Sequence, residues 1–552
     1  MLLNDFILIA ALLLFVMAWW LPALPRRAAI LLGMAATALA AGLYGVWTDR
    51  WQAAVGAAIA VIFLIAQIAS RKSIDGGRPI PFISGSLFAL LAAIAITALF
   101  LFPVGNLPAP SGDYAVGVRE FELRDHDRPG LLSAGDGEPR RLLVRIWYPA
   151  SPSEEAVPVS YFSAGEAATT ATGVGSLAGF PPFLTYLRHV GTNAYKDAPL
   201  HRDFSEPGSG RLPPIFYSHG YTTFAGQNSA LMEELASHGY AVYAIQHSYD
   251  SSPTVFPNGD ILPMDPELVT FMAGMSLSEA AVAALAGATL DEQLQGQIEN
   301  RRQMLASGDR LASVSAGIWL QDRRFVLDRL QAGQTPESVA EIAAASNFTR
   351  TGQMGMSFGG STTGALCTID SRCAAGINLD GADYHQSAFN TTVPVPFIMF
   401  HSDLENFYRQ VGVADPRQLR SYNALSYESF DDAGSRDDIY RLQLRGSTHM
   451  GITDFSLFMG SPIRELLTGT APAEILIGSQ NDFVRGFFDR HLRGLDNGFP
   501  QKQLEEYRGW VMPVDNTEVR NWWLAKPAEE REAIERRIEA LKGAGPTSIA
   551  AQ

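Results

Sequence analysis

The sequence predicts an α/β protein, a mostly parallel twisted sheet flanked by helices, preceded by a four-helix transmembrane region. Three observations predict it. Long apolar stretches without a charge are confined to the first 103 residues. From about residue 213, strand-like apolar runs alternate with helical segments, the pattern of βαβ units. A Gly-x-Ser-x-Gly turn separates one of those runs from a small-residue helix. The 552 residues include 42 Lys and Arg against 57 Asp and Glu, a formal charge of −15. An acidic chain without a basic stripe does not suit nucleic acid, whose phosphates select Lys and Arg. The two cysteines, Cys367 and Cys373, exclude a disulfide scaffold and a multi-cysteine metal domain, and leave one bridge possible.

The apolar stretches are residues 6–24, 28–47, 52–70 and 82–103. About 20 apolar residues at a rise of 1.5 Å cross a bilayer core. Trp19, Trp20, Trp47 and Trp51 sit at or near their ends, where aromatic belts form. The first stretch lacks the basic leader of a signal peptide and reads as a span. Arg26 and Arg27 follow the first span, and Arg71, Lys72 and Arg78 the third, whereas Arg50 after the second is balanced by Asp49. The positive-inside rule then puts the first and third loops in the cytoplasm. The N-terminus and everything after Pro103 lie outside, which for a bacterial inner membrane means the periplasmic or extracellular side. The expected organisation is a membrane domain at 1–103, a Pro- and Gly-rich linker at 104–113, a catalytic domain at 114–498 and a tail at 499–552.

Within the catalytic domain, residues 114–123 and 141–148 read as strands around a polar loop at 125–139. Further strands are expected at 213–218, 240–246, 351–356, 374–379, 395–401 and 438–445, several of them nearly continuous apolar runs as in strands covered on both faces. A helical insertion at about 260–333, rich in Ala, Leu, Met and Gln, is a candidate lid. In the tail, residues 527–542 place Ile534, Ile538 and Leu541 on one helix face, with Glu532 and Arg536 paired one turn apart. This reads as a packed terminal helix rather than a membrane-surface one.

The chemistry centres on Gly355-Met356-Ser357-Phe358-Gly359-Gly360. A strained strand-to-helix turn needs glycines because side chains there would collide, and it lifts the Ser357 hydroxyl above the sheet at a helix N-terminus. A second Gly-x-Ser, Gly274-Met275-Ser276-Leu277-Ser278, lacks a preceding strand and reads as helix within the insertion. The nucleophile needs a base and an acid from later strand ends. His449, in Gly446-Ser447-Thr448-His449, lies just past a strand in the last third of the fold and is the expected base. His219 and His247 follow earlier strands and are assigned to shaping the pocket, His238 to a helix end, and His385 and His401 to its lining. Asp380 and Asp403 compete as the acid, and position alone favours Asp403. The oxyanion hole calls for two main-chain N–H groups, from Phe358 and from Tyr221 in Ser218-His219-Gly220-Tyr221.

Taken together, Tyr217-Ser218-His219-Gly220, Leu235-Ala236-Ser237-His238-Gly239-Tyr240, the Ser357 turn, Leu379-Asp380 and Gly446-Ser447-Thr448-His449 resemble the plasma-type platelet-activating factor acetylhydrolases across residues 112–498. The resemblance implies an α/β-hydrolase fold and a calcium-independent serine esterase that removes short or oxidised acyl chains from the sn-2 position of phospholipids. It implies Ser357 as nucleophile, His449 as base, Tyr221 and Phe358 as oxyanion donors, and Asp380 as the acid, against the positional preference. Met356 stands where that family usually has His, and the four spans, the insertion and the tail fall outside the resemblance.

The resulting expectation is a membrane-anchored ester hydrolase with a Ser357–His449–Asp380 triad and a lipid ester as its partner. No metal or organic cofactor is implied, since the histidines and aspartates sit on separate strand ends rather than at metal-ligand spacing. The alternatives are a carboxylesterase, lipase or polyester hydrolase acting on small esters, and, in a different class, a non-catalytic membrane sensor or assembly module with a hydrolase-like body.

Overall fold

A computed structural model describes residues 1–74, 82–130, 138–203, 211–385, 388–413 and 419–543. Arg78 and residues 131–137 of the polar loop lie outside the described residues. The chain divides into two compact units. One comprises Met1–Leu107, Ser160–Gly191 and Leu457–Arg464, the other Pro108–Val159, Thr192–Ser456 and Glu465–Gln552.

The first unit is built on four helices, α1 (Leu3–Trp20), α2 (Arg27–Trp47), α3 (Ala53–Ile74) and α4 (Phe82–Leu101). Among the described residues, three of the four expected spans are long and apolar enough to cross a membrane: α1, α2 and Ser84–Leu101 of α4. α3 is helical from Ala53 to Ile74, and its fully described part, Ala53–Ala69, is a shorter apolar helix. Small residues let the backbones approach: a Cβ on Gly42 would lie 2.7 Å from that of Ala57. Phe15, Trp19, Phe63 and Phe88 fill the space between the helices. At one end the Met1 ammonium donates to the Val104 carbonyl at 2.9 Å, Trp51 Nε1 donates to the Phe183 carbonyl at 3.2 Å, and Arg188 pairs with Asp49. The N-terminus, the α2–α3 loop, the exit of α4 and the segment Ser160–Gly191 therefore share that end.

The second unit rests on an eleven-stranded sheet. In chain order the strands are β1 (Ala115–Pro129), β2 (Pro139–Ala150), β3 (Pro158–Ser160), β4 (Gly191–Lys196), β5 (Pro214–Ser218), β6 (Ala241–Gln246), a separate two-stranded ladder of β7 (Thr254–Val255) and β8 (Ile261–Leu262), then β9 (Thr351–Met356), β10 (Cys373–Leu379), β11 (Phe397–His401), β12 (Ile439–Leu444) and β13 (Val511–Pro513). Their order across the sheet is β13-β12-β11-β10-β9-β5-β6-β2-β1-β4-β3. From β6 to β12 every pairing is parallel, while β2 joins β6, and β13 joins β12, antiparallel. Every residue of β5, β6, β9 and β11 is buried, as strands covered on both faces require.

Each expected strand is present within a few residues, and three features depart from expectation. β1 continues to Pro129, because Asp125 and Arg128 find partners in each other and, for Arg128, in Asp322. The tail supplies β13, a three-residue edge strand on β12 that is too short to show a period. Met275–Ser278 is not helical: it separates helices Pro266–Gly274 and Glu279–Ala286, which bend by 80°. Ser278 forces that break by capping the second helix, accepting from the Ala281 N–H at 3.1 Å. The insertion continues with helices Leu290–Ser307 and Ala316–Gln331. The terminal helix Ala528–Gly543 packs Ile534 and Ile538 into a cluster with Leu290, Leu294, Ile298 and Trp523.

Candidate active site

β9 ends at Met356 and the helix Phe358–Ile369 starts two residues later, so Ser357 alone makes the turn. Its backbone adopts φ 55° and ψ −118°, a conformation that costs on the order of 1–3 kcal/mol and persists where surroundings over-determine it. The glycines allow the close approach. A Cβ on Gly355 would lie 2.2 Å from the Gly359 carbonyl, and one on Gly359 would lie 2.1 Å from the Ser218 carbonyl oxygen.

His449 begins a short 3₁₀ turn just past β12. Its Nε2 lies 3.0 Å from Ser357 Oγ and its Nδ1 lies 2.6 Å from Asp380 Oδ2. Asp380 follows β10 directly, with φ 57°, and is buried. Its other oxygen accepts from the Ser402 N–H at 2.6 Å and from the Tyr422 hydroxyl at 2.8 Å. Burial alone would raise the Asp380 carboxyl. The hydrogen bond and charge of His449, with the Ser402 N–H, outweigh it and hold the group below the usual aspartate range.

Asp403, which position favoured, is occupied elsewhere. It caps the helix Leu404–Gln410, accepting from the N–H groups of Glu405 and Asn406 at 2.9 and 3.3 Å, and from Gly446 at 2.7 Å. A carboxylate at a helix start satisfies orphan N–H groups, and among the described residues this one makes no hydrogen bond to His449. The rival histidines are likewise committed. Burial drives His219 and His385 down to about 3 and His247 and His401 to about 4, so all four stay neutral at pH 7. His385 bonds Ser361 Oγ and the Ala316 carbonyl, His401 bonds Ser421 Oγ, and His238 sits at a helix end against Glu234.

Tyr221 lies in the turn after β5, its ring centroid 5.0 Å from that of Phe358. Among the described residues, no hydrogen bond occupies the main-chain N–H of either residue. Phe358 is the residue after Ser357, and an oxyanion at that serine would call for two such N–H groups.

Sequence reading missed Asp322, Arg140 and Arg323. Asp322 takes both oxygens to Arg140, at 2.7 and 2.6 Å, and bonds His247 Nδ1 at 2.9 Å; His247 Nε2 in turn lies 2.9 Å from Ser218 Oγ, to which Arg323 donates at 3.2 Å. This second Ser–His–Asp chain is fully buried, so no substrate reaches it. Arg140 is distant in sequence, and nothing local in the insertion marks a charge as interior. Among the described residues, no group of three or more His, Cys, Asp or Glu side chains could hold a metal ion.

Cys367, in the last turn of the Ser357 helix, is bridged to Cys373 at the start of β10, with Cα atoms 5.2 Å apart.

Comparison with known proteins gives one family match and several relatives. Residues 101–262 match the family "Platelet-activating factor acetylhydrolase, isoform II", a span that holds Ser218–Tyr221 and stops before Ser357. A platelet-activating factor acetylhydrolase of Cavia porcellus is 24% identical over 310 residues, 53% of this chain and 60% of its own length. The chain thus spans only about three fifths of that relative. The enzyme of Canis lupus familiaris is 21% identical over 78% of this chain and 86% of its own. A probable 1-alkyl-2-acetylglycerophosphocholine esterase of Arthroderma benhamiae is 24% identical over 76% of this chain and 96% of its own. Among solved structures, a ferulic acid esterase from Streptomyces cinnamoneus superposes with a TM-score of 0.50 at 23% identity, covering 75% of this chain and all of that one. That likeness establishes the α/β-hydrolase fold.

Proposed function

From its relation to the platelet-activating factor acetylhydrolases, we propose that this α/β-hydrolase chain is a membrane-associated serine ester hydrolase that removes short or oxidised acyl chains from phospholipids. The observation that carries the reading is the array of Ser357, His449 and Asp380, with 3.0 Å and 2.6 Å links on a left-handed Ser357. Ser357 Oγ attacks the ester carbonyl while His449 Nε2 takes its proton. Asp380 holds the imidazole by Nδ1 and stabilises the imidazolium. The oxyanion rests on the N–H groups of Tyr221 and Phe358, each such donor contributing about 3 kcal/mol to the transition state. Collapse expels the alcohol, which regains the proton from His449. A water then follows the same path and releases the acid.

The body acts outside the cytoplasm in this proposal. Three features support it: Arg26, Arg27, Arg71 and Lys72 flank the opposite ends of the helices from the Met1, Asp49 and Val104 end; the segment Ser160–Gly191 lies at that latter end; and Cys367 and Cys373 are bridged, as suits an oxidising compartment. A domain division into a 1–103 membrane part and a 114–498 catalytic part remains the working scheme, with Ser160–Gly191 and Leu457–Arg464 grouped with the helices.

The test is hydrolysis of a phospholipid with a short sn-2 chain, beside an aryl ester, by the detergent-solubilised full chain and by Ser357→Ala. Loss of both activities in the variant supports the proposal. Aryl-ester activity alone keeps the triad and removes the phospholipid.

A further inference from the structure

We infer that the helical insertion holds the oxyanion hole in place through the Tyr221 hydroxyl, with Arg310 and Ser315 as positioning residues for the hydrolysis proposed above. Tyr221 offers its main-chain N–H to the oxyanion, yet it lies in a turn whose neighbour Thr222 has φ 66°. A turn of that kind keeps its N–H on target only if something fixes it. The side chain does so from the far end. Tyr221 Oη lies 2.8 Å from Ser315 Oγ and accepts from Arg310 Nε at 3.2 Å.

Arg310 is itself immobilised. Its Nη2 donates to Asp250 Oδ1 at 2.7 Å and to Asp265 Oδ2 at 2.8 Å, and both carboxylates are fully buried. Asp250 also accepts from the Trp319 indole at 3.1 Å, and its carbonyl receives the Thr222 N–H at 3.1 Å. The Trp319 ring in turn packs edge-on against Phe358, centroids 4.9 Å apart. Both oxyanion donors are thus braced by one network whose anchors, Arg310, Ser315 and Trp319, come from the insertion. Arg310 also lines a cavity of about 410 Å³ with Glu267, Phe271 and Asp309.

Such a brace acts on the transition state more than on substrate binding, because the oxyanion forms only as the carbonyl is attacked. Misplacing a reacting group by about 1 Å costs on the order of a hundredfold in rate, and loosening one donor should cost part of that. Removing Arg310 outright would strand Asp250 and Asp265, so the test uses gentler variants of the full chain in detergent: Tyr221→Phe, Ser315→Ala, their double variant, and Arg310→Lys. The readouts are kcat and KM on an aryl ester, the rate of Ser357 labelling by a fluorophosphonate, and the unfolding temperature.

The expected result is a fall in kcat of about tenfold for Tyr221→Phe, with KM changed less than twofold and labelling slowed in parallel. Ser315→Ala falls between wild type and Tyr221→Phe, the double variant is no slower than Tyr221→Phe, and Arg310→Lys, which keeps a positive charge near Asp250 and Asp265 but loses the Nε donor to the hydroxyl, falls no further than Tyr221→Phe. A Tyr221→Phe chain with wild-type kcat and labelling rate overturns the inference while leaving the hydrolase reading intact. So does a loss shared equally by KM and unfolding temperature. A wild-type chain that neither labels nor cleaves ester overturns both.

Discussion

The Tyr422 hydroxyl donates to Asp380 Oδ1 over 2.8 Å, the oxygen that His449 does not use. Asp380 is therefore tied on both sides: His449 holds one oxygen, and Tyr422 with the Ser402 N–H holds the other. Replacing Tyr422 by Phe keeps the ring against His401 and removes only the hydroxyl. Asp380 then has one fewer donor to its charged form, and its grip on the His449 tautomer loosens. The expected outcome is a fall in kcat of roughly three- to tenfold, at about 1.4 kcal/mol per factor of ten, with the chain still folded. Steady-state kinetics beside circular dichroism check it, and an unchanged kcat would show that Ser402 alone positions the acid.

The two competing carboxylates should separate cleanly by their variants. Asp380→Asn leaves the geometry but favours the wrong imidazole tautomer, and kcat should drop by about 10³ to 10⁴. Asp403→Asn should leave kcat within about twofold, since its carboxylate serves the N–H groups of Glu405, Asn406 and Gly446. Its effect belongs to stability, about 0.5–1 kcal/mol for a weakened cap and lost charge at a helix start. If Asp403→Asn is the slower enzyme, the assignment of the acid is reversed.

How far these roles were legible depended on the distance over which each is set. Ser357 and His449 announce themselves locally, the first by glycines that only a tight turn needs, the second by its place after a strand. The strands β5, β6 and β11 are legible because burial on both faces leaves a nearly continuous apolar run. Asp380 and Asp403 look alike in sequence. Which one meets His449 is settled by a left-handed Asp380 backbone and by the helix that claims Asp403, and neither has a local mark. Asp322 and Arg323 read as the polar face of an insertion helix, and only the packing of that helix over Ser218 and His247 turns them inward. The edge strand β13 escapes notice for another reason, since three residues cannot display a period.

Stability should decline as the medium is acidified below neutrality. His219, His247, His385 and His401 are held neutral by burial, at about 3 to 4 in the folded chain against about 6.5 unfolded. The unfolded state therefore binds more protons between about pH 6.5 and pH 4, and stability is lost as pH falls through that window, by up to about 1.4 kcal/mol per unit for each group. Glu233 works in the opposite sense. Burial raises it to about 7 despite hydrogen bonds from Asn193, so it favours the folded state below that value. Four groups against one give a net loss on acidification. The unfolding temperature of the chain at pH 7, 5.5 and 4.5 tests this, and a midpoint that stays level or rises toward pH 4.5 would contradict it.

In the first unit the most exacting contact is the pair Asp5 and Arg50, both side chains fully buried. Arg50 Nε lies 3.3 Å from each Asp5 oxygen, and its other nitrogens donate to Gln52 Oε1 at 3.1 Å, to the Phe102 carbonyl at 2.6 Å and to the Leu99 carbonyl at 3.0 Å. The guanidinium thus joins the start of α1 to the end of α4. Breaking a buried pair leaves an uncompensated charge and costs about 3–5 kcal/mol, whereas removing both charges is often close to neutral. Arg50→Met and Asp5→Leu should each lower the unfolding temperature of the detergent-solubilised chain, and the double variant should recover most of the loss from the worse single variant. Recovery is expected to be incomplete, because the Leu99 and Phe102 carbonyls lose their donor as well. If the double variant is as unstable as the sum of the singles, the two residues act independently and the pair does not join the helices.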